Sequence, residues 1–161
     1  MAWWSASCRW SATGLPAPDR RIAGAGPARL ALCKAKGFDG LEADNVDGYT
    51  NSTGFPLSGA DQLVYNRGLA GAAHALGLSI ALKNDVDQAR QLQPSFDYAL
   101  DEQCFRYSEC GKLNPFVAAH KAVFEVEYYL PTSKFCSRTN AAGLMSMRKG
   151  INLGASRQAC W

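Results

Sequence analysis

From Ala28 onward the chain alternates between two hydrophobic rhythms. Pro27 opens a helical segment with apolar positions at Leu30, Leu32 and Cys33, and Gly37 stops it. A strand is predicted from Asp39 to Ala43. Ser58 or Asp61 can cap the next helix, whose Leu63, Val64, Leu69, Ala73 and Leu76 fall at helical spacing before Gly77. A strand at Leu78 to Leu82, a short helix near Asp87 to Leu92 and a strand at Phe96 to Leu100 follow. One turn of helix around Pro115 to Ala119 leads to a strand at Ala122 to Glu127. Asn140 to Arg148 reads as the last helix and Ile151 to Leu153 as the last strand. Before residue 28 the rhythm is absent: Trp3, Trp4 and Trp10 stand among Ser, Arg, Gly and Pro without period. Residues 1–27 are therefore expected to be irregular or foreign to the fold, and residues 28–161 to form the domain.

Five strands separated by helices imply a parallel sheet with right-handed crossovers. Each strand ends in a polar cluster: Glu42, Asp44 and Asn45; Lys83, Asn84 and Asp85; Asp101, Glu102 and Gln103; Glu125, Glu127 and Tyr128. Polar residues at the carboxyl ends of successive strands are the arrangement of a (β/α)₈ barrel. A doubly wound sheet would gather them at one switch point beside a glycine-rich turn, and neither GxGxxG nor a Walker loop occurs. The expected fold is α/β, a partial (β/α)₈ TIM barrel with about five βα units, the first three lacking on the N-terminal side.

Charge narrows the partners. The formal net charge is +3, and it resides in residues 1–29, where Arg9, Arg20, Arg21 and Arg29 face only Asp19. The remainder balances, which gives no electrostatic case for nucleic acid or an anionic membrane. No stretch reaches the roughly 18 apolar residues of a membrane span, and residues 1–26 lack the apolar core of a signal peptide. Six cysteines and two histidines without a CxxC make no zinc pattern. Bridges Cys104–Cys110 and Cys136–Cys160 would suit an oxidising compartment, with Cys8 and Cys33 left unpaired; buried free thiols are the alternative.

Strand alternation puts Glu42 and Asp44 on one face, and Tyr98, Leu100 and Glu102 on one face two strands away. Asp44 and Glu102 would then oppose each other across the barrel mouth. Glycosidic hydrolysis needs such a pair, one carboxyl to protonate the leaving oxygen and one to act as nucleophile or base. Solvated loop carboxylates are the alternative. Asp44-Asn45-Val46-Asp47-Gly48-Tyr49 lacks the ligand spacing of an EF-hand, so no metal is expected. Lys83, at a strand end, could instead form a Schiff base. His74 and His120 read as structural. Tyr49, Phe55, Phe105, Tyr107, Tyr128 and Tyr129 follow strand ends, where they could stack on sugars or pack the rim.

The stretches Lys36 to Tyr49 (KGFDGLEADNVDGY), Leu82 to Asp85 (LKND), Asp101 to Cys104 (DEQC) and Lys121 to Phe124 (KAVF) closely resemble glycoside hydrolase family 114. The resemblance runs from about Ala28 to Cys160, the second part of the family domain. It implies a secreted endo-α-1,4-polygalactosaminidase with a (β/α)₈ barrel, no cofactor and no metal, acting on galactosamine-containing polysaccharide. Asp44 and Glu102 would be the catalytic pair, with Glu42, Asn45, Asp47, Tyr49, Lys83, Asn84, Gln103 and Glu127 contacting the sugar or tuning the pair. Two departures stand out: Ala43 where the family has Pro, and Asp101 where it has Asn. With the first strands lacking, an inactive fragment or sugar-binding remnant is the competing expectation. Its open barrel edges are expected to drive self-association.

Overall fold

Apolar residues at alternate strand positions, with helices between the parallel strands, dictate a sheet with helices laid against one face. The computed structural model describes residues 8–11 and 20–161, with side chains from residue 28 onward. Its elements run β1 (Cys8–Ser11), α1 (Arg20–Ala35), β2 (Gly40–Asp44), α2 (Gly59–Ala75), β3 (Ser79–Lys83), α3 (Ala89–Leu92), β4 (Tyr98–Glu102), α4 (Asn114–Ala118), β5 (Val123–Glu127), α5 (Thr132–Ala141), β6 (Met145–Lys149) and β7 (Arg157–Ala159). The strands lie side by side in chain order; β1 to β6 are all parallel and β7 is antiparallel to β6. An unbroken order of parallel strands has no switch point. It is the order of a barrel wall, with six parallel strands among the described residues where a closed barrel has eight.

The two faces of the sheet do different things. Leu41, Ala43, Ile80, Leu82, Ala99 and Val123 point toward the helices and join Leu30, Leu69, Ala73, Leu92, Leu113 and Phe116 in the principal core. Val126 and Met147, on the opposite face, form a smaller cluster with Tyr128. Tyr98 and Phe124 also face that way and meet edge-on, 5.9 Å between centroids. Gly40 lets β2 and β3 approach: a Cβ there would stand 2.4 Å from Ser79 Oγ and 3.3 Å from the Tyr98 hydroxyl. That hydroxyl donates to the Leu41 carbonyl at 3.1 Å.

Several elements differ from expectation. Strand β1 and the first turns of α1 lie in the stretch before Pro27 that carries no hydrophobic rhythm, and Pro27 falls inside α1 rather than at its start. The last helix is Thr132–Ala141, not Asn140 to Arg148. It ends at Gly143, whose φ of +78° closes it, and Met145 to Lys149 form β6 instead. Ile151 to Leu153 are a turn, with Leu153 at φ +53°, so the strand expected there does not form. The bridges Cys104–Cys110 and Cys136–Cys160 are both present, with Cα separations of 4.7 and 5.1 Å. Cys33 is corrected: it is disulfide-bonded. It lies buried beside Leu30 on the core-facing side of α1, a shielded place for a bridge that depends on tertiary packing. The side chain of Cys8 lies outside those described.

Candidate active site

The carboxyl ends of β2, β3 and β4 converge on a single ammonium group. Ala43 is in register with Leu82, and Lys83 with Leu100. Asp44, Lys83 and Glu102 therefore end adjacent strands on one face, away from the helices. Lys83 Nζ donates to Asp44 Oδ1 at 2.9 Å and lies 3.1 Å from Glu102 Oε2. Those two oxygens are thus at most about 6 Å apart, short of the about 6.5 Å at which inverting carboxyl pairs begin. The lysine side chain is 1% exposed and the two carboxylates are 31% and 25% exposed. The ammonium forms the floor; the carboxylates are open to the mouth above it.

Burial by itself would lower the Lys83 pKa. The hydrogen bond to Asp44 and the charges of Glu102, Glu42 and Asp44 reverse that and leave it raised above 10.5. A Schiff-base lysine needs the opposite shift, so the geometry speaks against that chemistry. Glu42, one layer below Asp44 on the same face, is buried and adds to the negative field around Lys83.

Past Lys83 the chain turns sharply. Asn84 and Asp85 both adopt left-handed backbone, φ 53° and 39°, a conformation costly for residues with a Cβ and tolerated where surrounding contacts over-determine it. Those contacts are specific. Asn84 Oδ1 accepts from the Glu102 backbone N–H at 3.0 Å, and its own N–H donates to the Leu100 carbonyl at 2.9 Å. Asp85 accepts from Asn66 Nδ2 at 3.0 Å and from the Tyr49 hydroxyl at 3.3 Å. Asn66, fully buried on α2, also donates to the Val46 carbonyl at 2.9 Å and accepts from Gln62. The capping box of Ser58 and Asp61 starts that helix. The β3 tip thus positions the loop after β2 and the backbone of Glu102 together. Burial, then the nearby charges of Asp47 and Asp87, push Asp85 up to about 7, and burial with the Asp85 charge pushes Tyr49 up to about 12.

Glu102 has a further partner: the Tyr128 hydroxyl donates to its Oε1. Gln103, at φ 69°, turns the chain away, and its N–H donates to the Val126 carbonyl at 2.8 Å.

Of the expected residues, the structure brings Asp44, Glu102, Lys83 and Glu42 into one cluster, with Asn84 on the Glu102 backbone and Tyr49 at the edge through Asp85. Asn45, at φ 57°, Asp47 and Gln103 occupy the strand-end loops around it. Glu127 is not part of the cluster. It is fully buried on the helix-facing side, where its Oε1 accepts from the Arg106 backbone N–H at 3.0 Å. Asp101 and Glu125 share that side, in register with each other. Burial, then the charge of Glu109, pushes Asp101 up to about 7, and burial beside Glu127 raises Glu125 well above the carboxylate range. Asp85 and Tyr128, expected at strand ends to meet sugar hydroxyls or stack on sugar rings, instead hold Tyr49 and Glu102. The signal for Tyr128 is alternation: Val126 is the register partner of Glu102, so a residue two further on returns to the same face. His74 ties the end of α2 to Asp97 at 2.9 Å, a structural role.

The pattern of glycoside-hydrolase family GH114 matches residues 14–161. Aspergillus fumigatus Ega3, solved in complex with galactosamine, superimposes with a TM-score of 0.82 at 31% identity over 88% of this chain. The chain spans 62% of the length of Ega3. The glycoside hydrolase domain of PelA from Pseudomonas aeruginosa shares the fold, with a TM-score of 0.56 at 14% identity over 89% of this chain and 77% of its own. No curated protein matches. The chain belongs to glycoside-hydrolase family GH114.

Proposed function

We propose that the chain hydrolyses α-1,4-linked galactosamine-rich polysaccharide by a two-carboxylate mechanism that retains anomeric configuration. The observation that carries the reading is the pair Asp44 and Glu102 on one buried ammonium, no more than about 6 Å apart. Retaining enzymes hold their carboxyls about 5–5.5 Å apart, and inverting enzymes need about 6.5–9.5 Å to admit a water. The galactosamine bound to Ega3 supports the sugar class.

In this reading Asp44, hydrogen-bonded to Lys83, attacks the anomeric carbon. The glycosidic C–O bond breaks and Glu102 gives its proton to the leaving oxygen. Glu102 then takes a proton from water, which attacks the same carbon and releases Asp44. Lys83 lies between the two carboxyl groups and offsets their mutual repulsion. Tyr128 and the Asn84 contact fix the Glu102 side chain and backbone, the positioning on which such a step depends. Tyr49, Asn45, Asp47 and Gln103 lie where they would contact the sugar. The disulfides fit an oxidising, extracellular compartment.

Azide rescue tests the roles. On an α-linked galactosamine oligomer with an activated leaving group, Asp44→Gly with azide should yield the β-glycosyl azide, and Glu102→Ala the α-azide. The converse pair of products would exchange the two roles; rescue of neither would end the assignment. A sugar-binding protein that holds the polymer without cleaving it is the second reading. It predicts oligomer binding with no turnover in the unmodified chain.

A further inference from the structure

The loops after β4 and β5 carry a feature the hydrolytic reading does not use. Tyr128, which holds Glu102, meets Tyr129 edge-on at 6.5 Å. The Arg106 guanidinium lies 4.5 Å from the centroid of Tyr129 and 6.0 Å from that of Tyr107. Tyr107 and Tyr129 are 60% and 57% exposed. An aromatic–cation–aromatic strip therefore begins at the catalytic glutamate and leads outward along the mouth. The strip is fixed in place. The Cys104–Cys110 bridge closes its loop, the Arg106 N–H is held by Glu127, and the guanidinium lies 3.5 Å from Gln103 Oε1. Large tyrosine faces kept open on a pinned loop are platforms on which sugar rings stack.

The charge of this strip is opposite to that of the β2–β3 side of the mouth. On the β2–β3 side stand Glu42, Asp44, Asp47 and Asp85, with Lys83 already held between Asp44 and Glu102. A galactosamine unit carries an ammonium group at neutral pH and suits that side. Beside a guanidinium stacked on the ring it would use, the same unit meets a like charge. We infer that Tyr107, Arg106 and Tyr129 form a sugar subsite selective for an uncharged hexopyranose, an N-acetylated galactosamine in place of the free amine. The inference rests on the proposed function for the polymer, although sugar binding to the strip stands independently of turnover. Scission would then fall where free-amine units meet N-acetylated ones.

The test uses the full chain. Trimers of galactosamine, N-acetylgalactosamine and galacturonate are titrated calorimetrically into the Glu102→Gln protein with and without Arg106→Gln. Products from a partially N-acetylated heptamer are mapped by mass spectrometry with the unmodified protein. Removing the charge should tighten galactosamine binding by about threefold to tenfold and change N-acetylgalactosamine binding by less than about twofold. Tyr129→Ala should weaken the N-acetylated trimer by about threefold or more. Acetyl groups should gather on one side of the cut. Equal effects of Arg106→Gln on both amino sugars, a selective loss of galacturonate binding, or acetyl groups spread evenly about the cut would overturn the subsite. If the unmodified protein cleaves nothing, the hydrolytic reading fails, and the titrations still decide the subsite.

Discussion

Replacing Lys83 with Met keeps most of the side-chain volume and removes the charge on which both carboxylates converge. At an effective dielectric of about 20, each carboxylate near 3 Å gains about 5 kcal/mol from the ammonium, most of it offset by the cost of burying that ammonium. What remains after substitution is two carboxylates within about 6 Å, a repulsion of about 3 kcal/mol. Removing one partner of a buried pair typically costs about 3–5 kcal/mol. Asp44 and Glu102 retain 31% and 25% exposure, so water recovers part of that, and the expected loss at neutral pH is about 2–3 kcal/mol. Turnover should fall by about 10²-fold or more, because neither carboxyl keeps its position. The assay is urea denaturation of Lys83→Met, Asp44→Asn and the double variant, with hydrolysis of galactosamine oligomers measured in parallel. In the Lys83→Met background, Asp44→Asn removes the repulsion, so the double variant should be more stable than the sum of the single losses by about 2 kcal/mol or more. Unchanged stability and turnover in Lys83→Met, or a coupling below about 0.5 kcal/mol, would refute the claim that this lysine is the shared counter-charge.

Three further outcomes follow from the geometry. Tyr128→Phe removes the hydroxyl that holds Glu102 Oε1 and should lower kcat about tenfold or more with little change in the unfolding midpoint; equal loss in both would make the tyrosine merely structural. Asp101 is 1% exposed and its folded pKa of about 7 lies above its unfolded value of 3.8. Its protonated form is therefore favoured in the fold, and stability present below about pH 4 is lost as pH rises through 7, up to about 4 kcal/mol. Asp101→Asn should accordingly stabilise the protein at pH 8 and much less at pH 5, read from denaturant midpoints; an equal gain at both would sink the argument. Of the disulfides, Cys136–Cys160 closes 24 residues and Cys104–Cys110 closes 6. Paired Ser substitutions should cost about 3 and about 2 kcal/mol respectively, and the reverse order would show that strain or loop structure outweighs chain entropy.

The central strands were legible because each is an apolar run with a polar tip. Gly40–Asp44, Ser79–Lys83, Tyr98–Glu102 and Val123–Glu127 depart from the sequence reading by at most two residues at either end. Period-two alternation then oriented Glu42, Asp44 and Glu102 correctly and sent Asp101 to the other face. The C-terminal region misleads for a local reason. Asn140-Ala141-Ala142-Gly143-Leu144-Met145 is rich in helix formers, and a glycine within it reads as tolerated until its positive φ is seen to end α5. Ile151 to Leu153 carry strand propensity, yet β7 forms from the polar Arg157–Ala159, whose partner in β6 supplies the hydrogen bonds that propensity does not. The roles of Lys83 and Cys33 depend on contacts far apart in the chain. Lys83 taken alone is as good a nucleophile as a counter-charge; only the register of β2 on β3 and β3 on β4 sets a carboxylate on either side of it. Glu127 shows the converse: strand-end position suggested the site, but alternation from Val126, the partner of Glu102, already directs it to the helices. Within this sheet, alternation decides which strand-end acids can meet, and register decides which of them do.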